Sequence, residues 1–133
     1  MSEENVEVVR RNHDAYSRGD LDGWLDLWAP DAVVDWSNSR GPEAGVYRGR
    51  SEIRRGAERF RDAFEEVRSE IDDPVEIEEG LVLVENITSL RGRDGIEVQA
   101  RSGWLFTVRE GVVTSLTLYQ SKQEALEAAG LSE

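Results

Sequence analysis

The chain has 133 residues, 38% of them hydrophobic, with four tryptophans, enough apolar surface for one folded domain and too much for a disordered one. Its 28 acidic residues outweigh 16 basic ones, and the resulting net charge of −12 excludes nucleic-acid backbones and anionic membranes as natural partners. The absence of cysteine excludes disulfides, thiolate chemistry and sulfur-ligated metal sites.

The start, Ser2-Glu3-Glu4, is polar and acidic, unlike a signal peptide. No apolar run approaches the ~20 residues that span a bilayer. A cytoplasmic protein made of one domain over 1–133 is therefore expected. Helix one is predicted from about Glu3 to Arg18, with Ser2 as its cap and Glu3 and Glu4 at the positive end of the helix dipole. Val6, Val9, His13 and Tyr16 recur at helical spacing and share a face, flanked by Asn12. Gly19 stops this helix and Asp20 caps a second, whose inner stripe is Leu21, Trp24, Leu25 and Trp28 and which Pro30 ends. Ala32 to Trp36 reads as a short strand. Gly41, Pro42, Gly45 and Gly49 make 37–49 a loop with a small hairpin. Ser51 caps helix three, whose buried stripe is Ile53, Ala57, Phe60, Phe64 and Val67.

Strands follow. Val67 to Ile77 is interrupted by Pro74, which marks an edge or a bulge. Leu81 to Leu90 comes next, then Ile96 to Arg109 through the turn Asp94-Gly95, then Val112 to Tyr119 through Glu110-Gly111. Ser121-Lys122-Gln123-Glu124 is a capping box for a terminal helix that ends near Gly130. Helices first and antiparallel strands afterwards give an α+β pattern. The strands carry apolar residues on both parities, as with Val82 and Val84 against Leu81 and Leu83. Such a sheet needs two covers. The helices supply one, and a second copy of the chain is the simplest other, so a homodimer is expected.

Four segments, in this order and spacing, carry a resemblance. They are Gly19-Asp20-Leu21-Asp22, the run from Trp28 to Val34, Tyr47-Arg48-Gly49 ahead of a capped helix, and Gly111-Val112-Val113 leading to Tyr119 and an Ala-Leu helix. Together they resemble the nuclear transport factor two-like superfamily, in its SnoaL-like and ketosteroid-isomerase-like branch. That resemblance implies a cone: a curved, mostly antiparallel sheet wrapped around N-terminal helices, also described as a cystatin-like roll. It implies a pocket inside the cone, and dimers are common in the family. Laid on that template, the inward ligand-binding residues are Asn12, Tyr16, Trp28, Trp36, Phe60, Asn86, Trp104, Phe106, Thr117 and Tyr119. Strand alternation supports the sets Trp104 with Phe106, Val84 with Asn86 and Thr88, and Thr117 with Tyr119. An aromatic lining with few polar groups suits a small hydrophobic molecule.

The steroid isomerases of this fold use a carboxylate base, a tyrosine and a protonated acid. Their positions fall here on Trp36, Asn12 and Trp104, so all three depart from the pattern. Asp35 lies one place from the base position, and a one-residue offset in a strand turns a side chain to the other face. Tyr16 lies one helical turn from Asn12. His13 is the only histidine and the only side chain with an unperturbed pKa close to neutral, so it is the natural acid/base, with Asp35 as its partner. The resemblance to SnoaL-like cyclases implies aldol ring closure over a hydrophobic floor. The epoxide-hydrolase branch would need Arg101 inside the cone, and parity puts it on the dimer side. No phosphate loop, nucleophile elbow or zinc histidine pair occurs. The expected function is thus a SnoaL-like pocket for a small hydrophobic molecule. Its enzymatic form is a cofactor-free isomerase or cyclase acting by proton transfer through His13 and Asp35, without metal. Its alternatives are a non-catalytic ligand-binding module and an interaction domain with a vestigial pocket.

Overall fold

The computed structural model describes residues 2–130. Its elements are α1 (Ser2–Ser17), α2 (Leu21–Asp26), β1 (Trp28–Asp35), β2 (Val46–Arg48), α3 (Gly49–Asp62), β3 (Glu66–Ile71), β4 (Val75–Glu78), β5 (Leu81–Arg91), β6 (Glu97–Arg109), β7 (Val112–Tyr119) and α4 (Lys122–Ala128). The strands form one sheet in the order β2-β1-β7-β6-β5-β3, with β4 also paired to β5. All pairings are antiparallel except β1 with β7. This is the α+β cone, with α1, α2 and α3 on its concave side. No described helix is long and apolar enough to cross a membrane.

Local chemistry explains most boundaries. Asp20 caps α2 by accepting from Gly23 N at 2.9 Å. Ser121 caps α4 by accepting from Glu124 N at 3.1 Å, while Glu124 reaches back to Gln120 N at 3.1 Å. The turn between β6 and β7 puts both Glu110 and Gly111 at positive φ, 53° and 84°, the backbone of a tight two-residue hairpin. The side chain of Ser2, expected as the cap of α1, lies outside the described side chains.

Several expectations change. Phe64 and Val67, expected on the stripe of the third helix, lie beyond α3, which ends at Asp62, and Val67 is in β3. Pro30 does not end a helix: α2 stops at Asp26, and β1 begins at Trp28 with Pro30 inside it. Pro30 is tolerated because the register of β1 against β7 shifts between Trp28 and Val33, so no ladder bond is required of it. Ser51 is not the cap of α3. That helix begins at Gly49 behind Arg48, whose N–H is met by Glu52 Oε1 at 2.8 Å. Finally, Pro74 divides the predicted strand in two, β3 and β4, both of which pair with β5.

The core is aromatic and continuous from α1 to the sheet. Tyr16 stacks near Trp24 at 5.3 Å, Trp24 near Trp28 at 5.6 Å, and Tyr16 near Trp104 at 6.4 Å between ring centroids. A second group joins Trp36, Phe60 and Phe64 at 5.7 and 5.4 Å. The other face of the sheet is not left wholly to a partner. There α4 covers part of β5, β6 and β7, and Leu83 and Ala125 are buried there, apart from the main core.

Gly103 is what lets α4 lie so close. A Cβ at this position would stand 2.5 Å from the Ser121 carbonyl oxygen. Replacing it forces backbone apart, an overpacking penalty of about 1–3 kcal/mol. Gly103→Ala is expected to lower the urea midpoint accordingly, with helix content falling first in α4; an unchanged midpoint would show that α4 docks loosely.

Candidate functional site

The cone encloses one aromatic-walled cavity of about 350 Å³. Tyr16 from α1 and Trp104 from β6 form one wall, and Trp36 after β1 and Phe60 from α3 form the other. Thr88, Leu90, Ser102 and Leu118 from the sheet complete the inside, and Ser39, Arg40, Gly41 and Gln120 stand at the rim. Wider surface grooves along α1 and β4, of about 930 and 1210 Å³, are open, carry several carboxylates and contain no aromatic residue. Of these, the aromatic cavity has the lining that suits a small apolar molecule.

Tyr16 is 5% exposed. Burial raises its pKa, partly opposed by Arg61, whose guanidinium lies 4.5 Å from the ring centroid. The phenol is thus held neutral. Trp104 donates its indole N–H to Ser102 Oγ at 3.0 Å. The Trp36 indole nitrogen is buried without a partner.

His13 does not line this cavity. It contacts the Trp104 ring edge-on at 6.5 Å, and its Nε2 lies 2.9 Å from Ser69 Oγ. Ser69 in turn accepts from Asn86 Nδ2 at 2.7 Å, and Asn86 Oδ1 accepts from Thr88 Oγ1 at 2.6 Å. Because Ser69 already accepts from Asn86, its own hydrogen is available to His13, an arrangement that suits neutral imidazole with its proton on Nδ1. Burial lowers the His13 pKa, with Asp14 and Glu70 pulling weakly the other way. Thr88 links this string to the cavity, but the Asn86 amide interrupts it as a path for protons, since an amide neither gains nor loses one near neutrality.

The expected pair of His13 with Asp35 is not assembled. Asp35 Oδ1 accepts from Ser37 N at 3.0 Å and from Ser37 Oγ at 2.6 Å, capping the turn that leaves β1. Its strand neighbours on the inner face are Ala32, Val34 and Trp36, so Asp35 belongs to the outer face. Thr117 and Tyr119 share that outer face, which corrects the expected inward set. Their cross-strand partners are Leu105 and Gly103, whereas Leu116 and Leu118 pair with Phe106 and Trp104 and point inward. A register shift at Thr107 and Val108 resets the alternation of β7 and explains the reversal.

Four further expected ligand contacts are structural. Asn12, 2% exposed, donates to Trp24 O at 3.3 Å and ties α1 to α2. Trp28 and Phe106, 0% and 1% exposed, fill the core, and Asn86 belongs to the His13 string. Of the predicted residues, Tyr16, Trp36, Phe60 and Trp104 come together around the cavity. Arg101 pairs with Glu85 at 3.4 Å on the outer face, as parity indicates. Sequence reasoning missed the rim, Ser39 to Gly41 with Gln120, and the inward Leu90 and Leu118. Leu90 continues the alternation of Asn86 and Thr88 and was legible; Leu118 was hidden by the bulge in β7, and the rim has no periodicity to read.

A SnoaL-like domain model matches residues 9–116. No curated protein sequence matches the chain. Among solved structures the chain is similar to TerC co-crystallised with polyporic acid, with a TM-score of 0.78 at 16% identity, covering 93% of this chain and 96% of that chain. It is similar to an NTF2-like protein from Burkholderia pseudomallei, with a TM-score of 0.77 at 20% identity, covering 93% and 95%. It is also similar to a proposed polyketide cyclase from Xanthomonas campestris pv. campestris, with a TM-score of 0.73 at 24% identity, covering 94% and 96%. At these identities the likeness shows the fold.

The buried imidazole sets a pH dependence. The folded state holds His13 below its ordinary value of 6.5, so the unfolded chain binds more protons between the two values. The contribution to stability is complete above about pH 6.5 and is lost as the pH falls from there through the folded value. His13→Gln is expected to cost about 1 kcal/mol at pH 7 through the weakened bond to Ser69. Urea unfolding at pH 7 and pH 5 should show a smaller acid loss in the variant than in the parent. Equal acid losses would mean that the imidazole takes up its proton alike in the folded and unfolded chain.

Proposed function

The chain belongs to the SnoaL-like domain family, and on that premise we propose that it binds one flat, mostly apolar small molecule inside its cone, without acid–base chemistry. The observation that carries this reading is the cavity lining. Four aromatic rings face about 350 Å³ of space, enough for roughly two or three fused rings, and no described lining residue is a carboxylate or an imidazole. An enzyme moving protons needs such a group within reach of the ligand. With His13 held by Ser69 and Asp35 held by Ser37, neither group is free for that work. The cavity is open, which argues against a vestigial pocket filled by its own tryptophans. TerC, which shares this fold, was co-crystallised with a small molecule, and this lends the binding role further support.

The same reading includes a homodimer through the outer sheet face. Val33, Ile87 and Leu105 are half-buried there, beyond the part that α4 covers, and Val46 on the edge strand is 43% exposed. Apolar side chains on an open sheet face gain from burial against a second copy.

Two measurements test these statements. The neutral probe 2-naphthamide should quench tryptophan emission with a dissociation constant of roughly tenths of a millimolar. Ala100→Trp, an exposed position at the rim, should fill the mouth and weaken that binding at least about tenfold with little change in melting temperature. Binding that survives this substitution would move the ligand elsewhere. Sedimentation equilibrium at micromolar concentration should give a dimer mass, reduced to monomer by Leu105→Arg; a monomer mass for the parent chain ends the dimer proposal.

A further inference from the structure

We infer that the cone selects an anionic ligand, a flat aromatic or conjugated molecule whose single carboxylate sits at the rim beside Arg40. This deepens the binding role proposed above and rests on it.

Fourteen residues line the cavity, and 28 of the chain's 133 residues are acidic, so a random lining would bring about three carboxylates. The cavity has none among the described residues, although the chain as a whole carries a net charge of −12. Carboxylates are thus missing where they would repel an anion.

Most arginines near this end of the molecule are committed: Arg59 to Glu43 at 2.7 Å, Arg91 to Glu65 and Glu66 at 3.2 and 2.9 Å, Arg101 to Glu85 at 3.4 Å. Arg101 also contributes to the lining, but its ion pair holds the guanidinium on the outer face. Arg40 has no hydrogen bond or ion pair to any described residue, so its fork of donors is left for something else.

Arg40 is carried on an anchored loop. Asn38 Nδ2 donates to Leu118 O at 3.2 Å, and Gln120 donates back to Asn38 O. Trp36 N donates to Gly45 O at 2.7 Å, closing the loop's base, and Gly41 N donates to Ser39 Oγ at 3.1 Å. The backbone of Arg40 is therefore held at the mouth.

Two donors inside agree in sign. The buried Trp36 indole N–H has no partner, and Ser102, already an acceptor from Trp104, has its hydrogen to give. An oxygen-rich ligand edge satisfies both. The net charge of −12 opposes an anion at long range, but at physiological salt charges beyond about 8 Å are largely screened, so the nearby guanidinium decides.

The test compares two probes of nearly equal shape, 2-naphthoate and the neutral 2-naphthamide, by tryptophan quenching at pH 7. The carboxylate should bind about three- to tenfold more tightly at low salt, and the gap should narrow in 1 M NaCl. Arg40→Gln should abolish the preference while leaving the amide unaffected. Arg55→Gln, which makes the same change in net charge on the exposed face of α3, should keep it. Equal binding of the two probes overturns the anionic inference and leaves the binding cone standing. A preference that survives Arg40→Gln overturns the assignment to Arg40. If neither probe binds, the cone is not a ligand site for this class, and the underlying proposal fails with the inference.

Discussion

The interior of this cone depends on one irregular pairing. Strand β1 runs parallel to β7, yet five residues carry it from Trp28 to Val33 while β7 advances only from Val113 to Ser115. The excess chain bends away at Pro30 and Asp31, which are exposed, and returns with Ala32, Val34 and Trp36 facing inward. Such bulges sharpen curvature and re-aim side chains. Here the bulge lets one short strand supply Trp28 to the closed base of the cone and Trp36 to its open half. Arg50 supports the bend by donating Nε to the Trp28 carbonyl at 3.0 Å, meeting an acceptor that the irregular ladder leaves over.

Two sets of aromatic rings then divide the labour. Trp24, Trp28 and Phe106 fill the base, where little solvent reaches, and they make α1, α2 and the sheet one body. Trp36, Phe60 and Phe64 stand across the gap on β1 and α3. Tyr16 and Trp104 belong to the first set but look into the gap. The gap persists because its walls hang on different elements, each packed from behind. The polar string from Thr88 through Asn86 and Ser69 to His13 runs along the same interior and is fully paired at each step, which keeps buried polar groups from destabilising the fold.

How much of this was legible differs by element. The α1 stripe of Val6, Val9, His13 and Tyr16, flanked by Asn12, was readable because helical periodicity survives any tertiary context; Val6 is half-buried and the other four are buried. The Ser121 cap was readable because capping is local chemistry. Trp104 was readable from simple alternation, since β6 has no irregularity against β5. The start of β1 was not, because Pro30 signals a stop unless the bulge beside it is known. Thr117 and Tyr119 were misplaced because the bulge near Thr114 changes which parity faces in, and a cavity expected to be partly polar favoured the polar pair over Leu116 and Leu118. The roles of His13 and Asp35 turned on hydrogen bonds to Ser69 and Ser37, and only for Asp35 is that partner close in sequence.

The anchoring of the 37–45 loop has a consequence for how this molecule can change over generations. Its two ends are fixed largely through main-chain groups: the Leu118 and Asn38 carbonyls, the bond between Trp36 N and Gly45 O, and the Glu43 carbonyl that accepts from the Tyr47 hydroxyl at 2.5 Å. A backbone carbonyl is present whatever residue bears it. Side chains at 39 to 42 are therefore under little obligation to the fold, while the walls behind them cannot drift without emptying or crowding the core. On the proposed binding role, the residues that meet a ligand at the rim and those that hold the fold occupy separate stretches of sequence, so the rim can be rewritten at little cost to the fold.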